Sequence, residues 1–277
     1  MRSEALERPL VASADRPAPA PRSMLRQYPS RVATFCLIEL QKLRHDRTEL
    51  FTRAVQPVLW LVIFGETFNR LHAIPTGKLP YLDFLAPGII AQSGLFIAIF
   101  YGIQIIWERD AGVLTKLLVT PTPRSALILG KSFAAGIRSL SQVVVVLILS
   151  TILGVSLSSN PLDILGSFVI VMLAAAFFSC LSMTIAGIVL KRDRLMGIGQ
   201  MITMPLFFAS NALYPVSIMP AWLRDLSKVN PLSYEVDALR GMLVHSNANL
   251  GLDFGVLIVA VIVGVATASS LVNRLAR

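Results

Sequence analysis

Residues Ile164–Leu190, ILGSFVIVMLAAAFFSCLSMTIAGIVL, run for 27 positions without a charge. A helix of that length rises about 40 Å, more than the ~30 Å hydrocarbon core of a bilayer. A barrel strand would alternate apolar and polar side chains over about ten residues, and this stretch does not. It reads as a membrane-spanning helix, so the expected solvent for this chain is lipid.

Four further runs extend that reading in both directions. Phe84–Trp107 and Ser139–Leu162 are each 24 residues without a charge, Leu195–Leu223 is 29 and Phe254–Asn273 is 20. Pro215 and Pro220 place the helical end of the Leu195 run near Ser217. Ala54–Asn69 is shorter, 16 residues including Glu66, but its core VLWLVIFG is strongly apolar. The expectation is an all-α polytopic membrane protein with six spans, at about 54–70, 84–107, 139–160, 164–190, 195–217 and 254–273. Composition agrees. Residues of the AVILMFWYC set make up 55% of the 277, and charged residues only 15%, against roughly 25% in a soluble domain. Disorder, collagen and a disulfide scaffold are excluded by the same figures. Cys36 and Cys180 form no CxxC and do not define a redox compartment.

Lysine and arginine set the orientation. With the N-terminus, the 108–138 loop, the 191–194 loop and the C-terminus inside, those segments hold 20 of the 25 basic residues. Arg70, Lys78, Arg224, Lys228 and Arg240 remain outside. Both termini are therefore expected in the cytoplasm. The net charge of +9 is a topology signal and not a nucleic-acid footprint.

Between the spans lie segments of other kinds. Residues 1–27 are Pro-, Ala- and Arg-rich with no apolar h-region, which predicts a disordered cytoplasmic tail. In 28–52, Val32, Phe35, Cys36, Leu40 and Leu43 approximate a helical stripe with Arg31, Lys42, Arg44 and Arg47 interleaved. That pattern suits an amphipathic helix on the inner leaflet, or alternatively a soluble-facing helix. The membrane domain then occupies 53–277.

The inner loop Trp107–Lys131 reads WERDAGVLTKLLVTPTPRSALILGK. Gly112 to Leu118 predicts a short helix exposing Val113, Leu114, Leu117 and Leu118, which Pro121 and Pro123 stop before Arg124 restarts a helix. Exposed aliphatics between charges suit docking to a protein, or else a hairpin packed on its own bundle. On the outer side, Asn230–Leu243, NPLSYEVDALRGML, begins with a cap-like Asn-Pro. It predicts a short helix dipping into or lying on the outer leaflet, with Glu235, Asp237 and Arg240 facing water or one another; a plain surface loop is the alternative.

Reactive chemistry is sparse. Gly130-Lys131-Ser132 lacks the upstream glycine of a phosphate-binding loop, since position 125 is Ser125. His45, His72 and His245 lie far apart, and no serine sits in GxSxG. Glu66 is the only acid within the six expected spans. An ion-coupled secondary transporter or channel acting alone is one alternative function, but it would normally carry more intramembrane ionisable groups. A lipid-modifying membrane enzyme is another, with only Glu235, Asp237 and Arg240 as a candidate cluster. A bundle without its own energy source is expected to borrow one from a partner.

Four segments carry a family resemblance: PVLWLVIFGETF (Pro57–Phe68), YLDFLAPGIIAQ (Tyr81–Gln92), Trp107–Lys131 and Asn230–Leu243. In this order and spacing they resemble the permease subunit of ABC-2 type exporters, the group that includes daunorubicin-resistance, nodulation-factor and chloroplast-type permeases. The likeness covers roughly 28–277. It implies a six-helix half-transporter of the bacterial inner membrane, pairing with itself or a paralogue and with two separate ATP-binding subunits. ATP and Mg²⁺ would be bound by those subunits, with no cofactor in this chain and no ATPase site. It further implies a coupling helix carried by Glu108, Arg109, Gly112, Leu114, Leu117 and Leu118, followed by Arg124. The connecting helix would hold Arg31, Lys42 and Arg44. The re-entrant external segment would hold Asn230, Pro231, Tyr234, Asp237 and Arg240. Cargo of a drug, lipid-linked or polysaccharide type is implied, without a choice among them.

Overall fold

The computed structural model describes residues 28–34, 36–37, 41, 52, 55–71, 74–77, 79–119 and 123–275, and among them every regular element is helical. The chain is an all-α membrane protein. A π-helical turn Trp60–Gly65 leads into α1 (Glu66–Leu71), followed by α2 (Tyr81–Asp110) and the short α3 (Val113–Val119). Then come α4 (Arg124–Ile152), α5 (Pro161–Val189) and α6 (Arg192–Phe208). The chain ends with α7 (Ala221–Val229), α8 (Pro231–Leu243) and α9 (Leu250–Leu275).

Among the described residues four helices, α2, α4, α5 and α9, are long and apolar enough to cross a bilayer. Residues 55–71 and α6 supply 17 helical residues each, a rise of about 25 Å. The expected segments 1–27, Lys42 and Arg44 lie outside the described residues. Of the connecting helix, Tyr28, Arg31 and Cys36 are described; Tyr28 Oη donates to Ser125 Oγ at 3.0 Å, and Cys36 packs on Tyr101, Ala134 and Ala135.

Helix ends follow local chemistry. Asn160 caps α5 by accepting from the Leu162 N–H, with Pro161 at the first helical position. Asn230 and Pro231 repeat the device at α8. The boundaries at α4 and α6 differ from the uncharged runs. Helix α4 begins at Arg124, fifteen residues before Ser139, because Lys131 and Arg138 are buried inside it with partners on α2. It ends at Ile152, and 153–160 is turn and extended chain. Helix α6 stops at Phe208, before Pro215, and the chain from 209 reverses toward α7.

Helix α2 is the centre of the bundle, buried along most of its length, whereas α9 lies largely exposed at the edge. Lipid gives no hydrophobic drive to helix association, so close backbone approach carries the packing. Gly102 of α2 lies against Ser182 of α5, whose hydroxyl donates to the Ile99 carbonyl at 2.7 Å. A Cβ at Gly88 would stand 2.3 Å from the Ala212 carbonyl oxygen, so only glycine lets the 209–215 reversal seat on α2.

Candidate functional site

On one side of the bundle, α2, α3 and α4 form a corner. The last turn of α2 brings Glu108 to α4, where its Oε2 stands 2.6 Å from Lys131 Nζ, with both side chains more than nine-tenths buried. Such a pair is held by geometry, since desolvating each ion costs several kcal/mol. The next residue, Arg109, points the other way. Its Nη1 donates to the Leu190 carbonyl at 2.9 Å, while Nε and Nη2 hold Asp110 Oδ1 at 3.0 and 2.8 Å. Leu190 caps α5 in the left-handed conformation, φ 57°, at the turn into α6. Arg192, opening α6, lies 4.8 Å over the Trp107 ring. The two final residues of the WER segment thus tie α2 to α4 and to the α5–α6 turn.

Gly112 makes the step from α2 into α3 at φ +71°. Among the described residues nothing lies within 4 Å of the position a Cβ would take, so Gly112→Ala meets left-handed backbone strain. The expected loss is about 1 kcal/mol in SDS-titrated unfolding, well below that of a core cavity. In α3 itself, Val113 and Lys116 are exposed, Leu117 is half-buried against the core, and Leu114 is completely buried. The expected exposure of Leu114 is therefore not found: its one-turn spacing from Leu117 turns it into the bundle. The side chain of Leu118 lies outside the described residues. Arg124 is exposed at the start of α4. The triplet Gly130-Lys131-Ser132 is mid-helix, with its lysine in the Glu108 pair and the Ser132 hydroxyl on the Ile128 carbonyl. Its N–H groups are not arranged as a phosphate cradle.

At the opposite end, α8 is pinned by its polar residues. Arg240, 5% exposed, donates from Nε to the Phe84 carbonyl at 3.1 Å and from Nη2 to those of Asn211 and Ala212 at 2.5 and 3.3 Å. Its guanidinium also covers the Phe84 ring at 3.6 Å. Asp237 accepts from Asn211 Nδ2 at 2.5 Å and stands 3.9 Å from Arg240 Nη1. Asn230 Nδ2 donates to the Leu206 carbonyl, and Tyr234 Oη to the Lys228 carbonyl. Asp237, about half exposed, thus faces Arg240 as expected, whereas Arg240 and Glu235 are internal and do not face water. Glu235 is 0% exposed beside Gly94 of α2, with neither carboxylate oxygen hydrogen-bonded among the described residues. Helix α7 is amphipathic, exposing Trp222, Leu226 and Val229. On its polar face Lys228, 2.8 Å away, holds the Asp225 carboxyl below the ordinary carboxylate range.

Reading the sequence alone did not single out Leu190 or Arg192, and no motif marks a backbone carbonyl as an acceptor. The basic 191–194 turn was the only available signal for Arg192.

The family model described as ABC-2 type transporter matches residues 32–244. The chain is similar to the putative transport permease ycf38 of Porphyra purpurea, 32% identical over 76% of this chain and 72% of that protein. It is 22% identical to the daunorubicin resistance ABC transporter permease protein DrrB1 of Streptomyces coeruleorubidus, over 74% and 71% of the two chains. Nodulation protein J of Rhizobium leguminosarum bv. viciae is 24% identical over 79% and 84%.

Proposed function

This chain belongs to the ABC-2 type transporter family, and we propose that it is the permease of an ATP-driven exporter powered by two copies of a separate ATP-binding subunit. ATP and Mg²⁺ belong to that subunit, and this chain contributes no hydrolytic site. The observation that carries the reading is the α2–α3–α4 corner. A short helix offering Val113 and Lys116 outward sits between two long helices joined by the buried Glu108–Lys131 pair. A push on α3 reaches α2 and α4 together through that pair. Through Arg109 and the Leu190 carbonyl it also reaches the α5–α6 turn. Closure of the ATP-binding subunits would thus become a rigid-body movement of the spans.

The corner lies on the cytoplasmic side in this reading, supported by the 20-to-5 distribution of basic residues. Residues 55–71 and α6 complete six spans, with both termini cytoplasmic in a bacterial inner membrane. Two permeases, identical or paralogous, would meet across apolar faces such as Leu59, Ile63 and Met201, which are half or more exposed in the single chain. The relative named for daunorubicin resistance supports an amphiphilic drug as cargo, with a lipid-linked or polysaccharide-type substrate as the other choice.

Val113 tests the docking surface better than Leu114, because its 41% exposure allows substitution without opening the core. Val113→Asp is expected to reduce co-purification of a Walker A-bearing ATPase, and its stimulated ATP turnover, about tenfold. Membrane insertion and the elution profile should be unchanged. Wild-type recovery and turnover in this variant would reject the docking assignment. Absence of any such ATPase from the purified wild-type complex would reject the function.

A further inference from the structure

A cavity of about 220 Å³ lies between the start of the first span, α2 and α4, apart from both the inner corner and the Arg240 cluster. Gln56, Gln92 and Gln142 contribute three carboxamides to its lining, and among the described residues that line it none carries a charge. Gln92 sits eleven residues along α2, roughly 16 Å from its start. It is 2% exposed, and its Nε2 has no hydrogen-bond partner among the described residues. The neighbouring Ser93 hydroxyl is already committed to the Ile89 carbonyl at 2.7 Å. Along the wall, the rings of Phe96 and Phe100 lie 19° from parallel with centroids 6.5 Å apart.

A buried amide donor without an acceptor is costly, and a leucine would fill the same volume without that cost. An unsatisfied donor beside a flat aromatic wall has the form of a ligand site: apolar faces give area and one polar group fixes orientation. From this we propose that the cavity binds the head of an uncharged amphiphile, a ring bearing hydroxyl or carbonyl oxygens. The ring lies against Phe96 and Phe100, and one oxygen accepts from Gln92 Nε2. An ionic head is disfavoured because the described lining residues offer no counter-charge and desolvating an ion costs several kcal/mol. The volume is below the ~300–1,000 Å³ of drug-sized pockets, so the head enters past exposed Gln56 while the tail stays in lipid. A resident glycolipid and a transported cargo share this chemistry. The inference rests on the export reading only for what happens to the head after ATP binds.

The test uses the full-length permease with its ATP-binding partner in phosphatidylcholine vesicles. Three photoreactive probes share one alkyl chain and carry a β-glucoside, a trimethylammonium or a phosphate head. The glucoside is expected to label the 92–100 stretch of α2, and Gln92→Leu to reduce that labelling about tenfold. Unlabelled alkyl glucoside, and not alkyl trimethylammonium, should compete in the wild-type protein, a measurement that needs no variant. Equal labelling of Gln92→Leu and wild type, or preferential labelling by either charged probe, overturns the site. Under ATP and vanadate, loss of label identifies a transported head and retention a resident lipid; both keep the site. Labelling requires no transport, so it stands or falls separately from export.

Discussion

Lys131→Met is expected to destabilise the permease by about 3–5 kcal/mol in SDS-titrated unfolding, because it removes the ammonium that stands 2.6 Å from the buried Glu108 carboxylate. The pair joins the last turn of α2 to the first half of α4 at 2.6 Å, so the stimulated ATP turnover of the complex should fall with it. The double variant Glu108→Gln/Lys131→Met separates stability from coupling. Replacing a whole buried pair by neutral groups of similar volume is commonly neutral or stabilising, so the fold should recover. If coupling returns as well, the charges serve to seat the corner. If stability returns and coupling does not, the ion pair itself carries the movement. A loss below about 1 kcal/mol for Lys131→Met alone would contradict the buried-pair geometry.

Arg240 is expected to give the second large effect. Its guanidinium serves carbonyls on two distant segments, Phe84 of α2 and the reversal at Asn211 and Ala212. Arg240→Met takes the donor from the Asn211 and Ala212 carbonyls, at about 1–3 kcal/mol for each that stays dry, and removes the tie to Phe84, so a total near 3–5 kcal/mol is expected. Arg240→Lys should recover little, because an ammonium cannot reproduce a planar fork that reaches several acceptors at once. Increased protease cleavage around 209–220 should accompany the loss. Near-wild-type stability and protection in Arg240→Met would show that α8 is held by its apolar contacts, such as Leu232, Val236 and Leu239.

Much of the fold was legible because lipid penalises charge and loose backbone wherever they occur. The uncharged runs located α2, α5 and α9. Asn-Pro at 160–161 and 230–231 located two helix starts, since both the cap and the proline act within one turn. The uncharged run begins only at Ser139, so counting charges marks the second half of α4, while its start at Arg124 is legible from the prolines before it. Lys131 faces Glu108, and Arg138 stands 4.6 Å over the Tyr101 ring, so partners on α2 reduce the cost that the count assumes. The candidate site was legible as residue types. It was not legible as directions: Leu114 turns inward, Arg109 reaches a carbonyl beyond α5, and Glu235 is enclosed.

Sequence by itself therefore determined the solvent, the helical class, the basic asymmetry and the ordered motifs of an ABC-2 type permease. Each of these depends on properties a residue carries alone or shares with neighbours a turn away. Tertiary structure alone decided which charges could be buried, which aliphatic face of α3 stays open, and where an amide at Gln92 meets an aromatic wall. These depend on partners tens of residues away, whose approach is fixed only when helices pack at points such as Gly88 and Gly102.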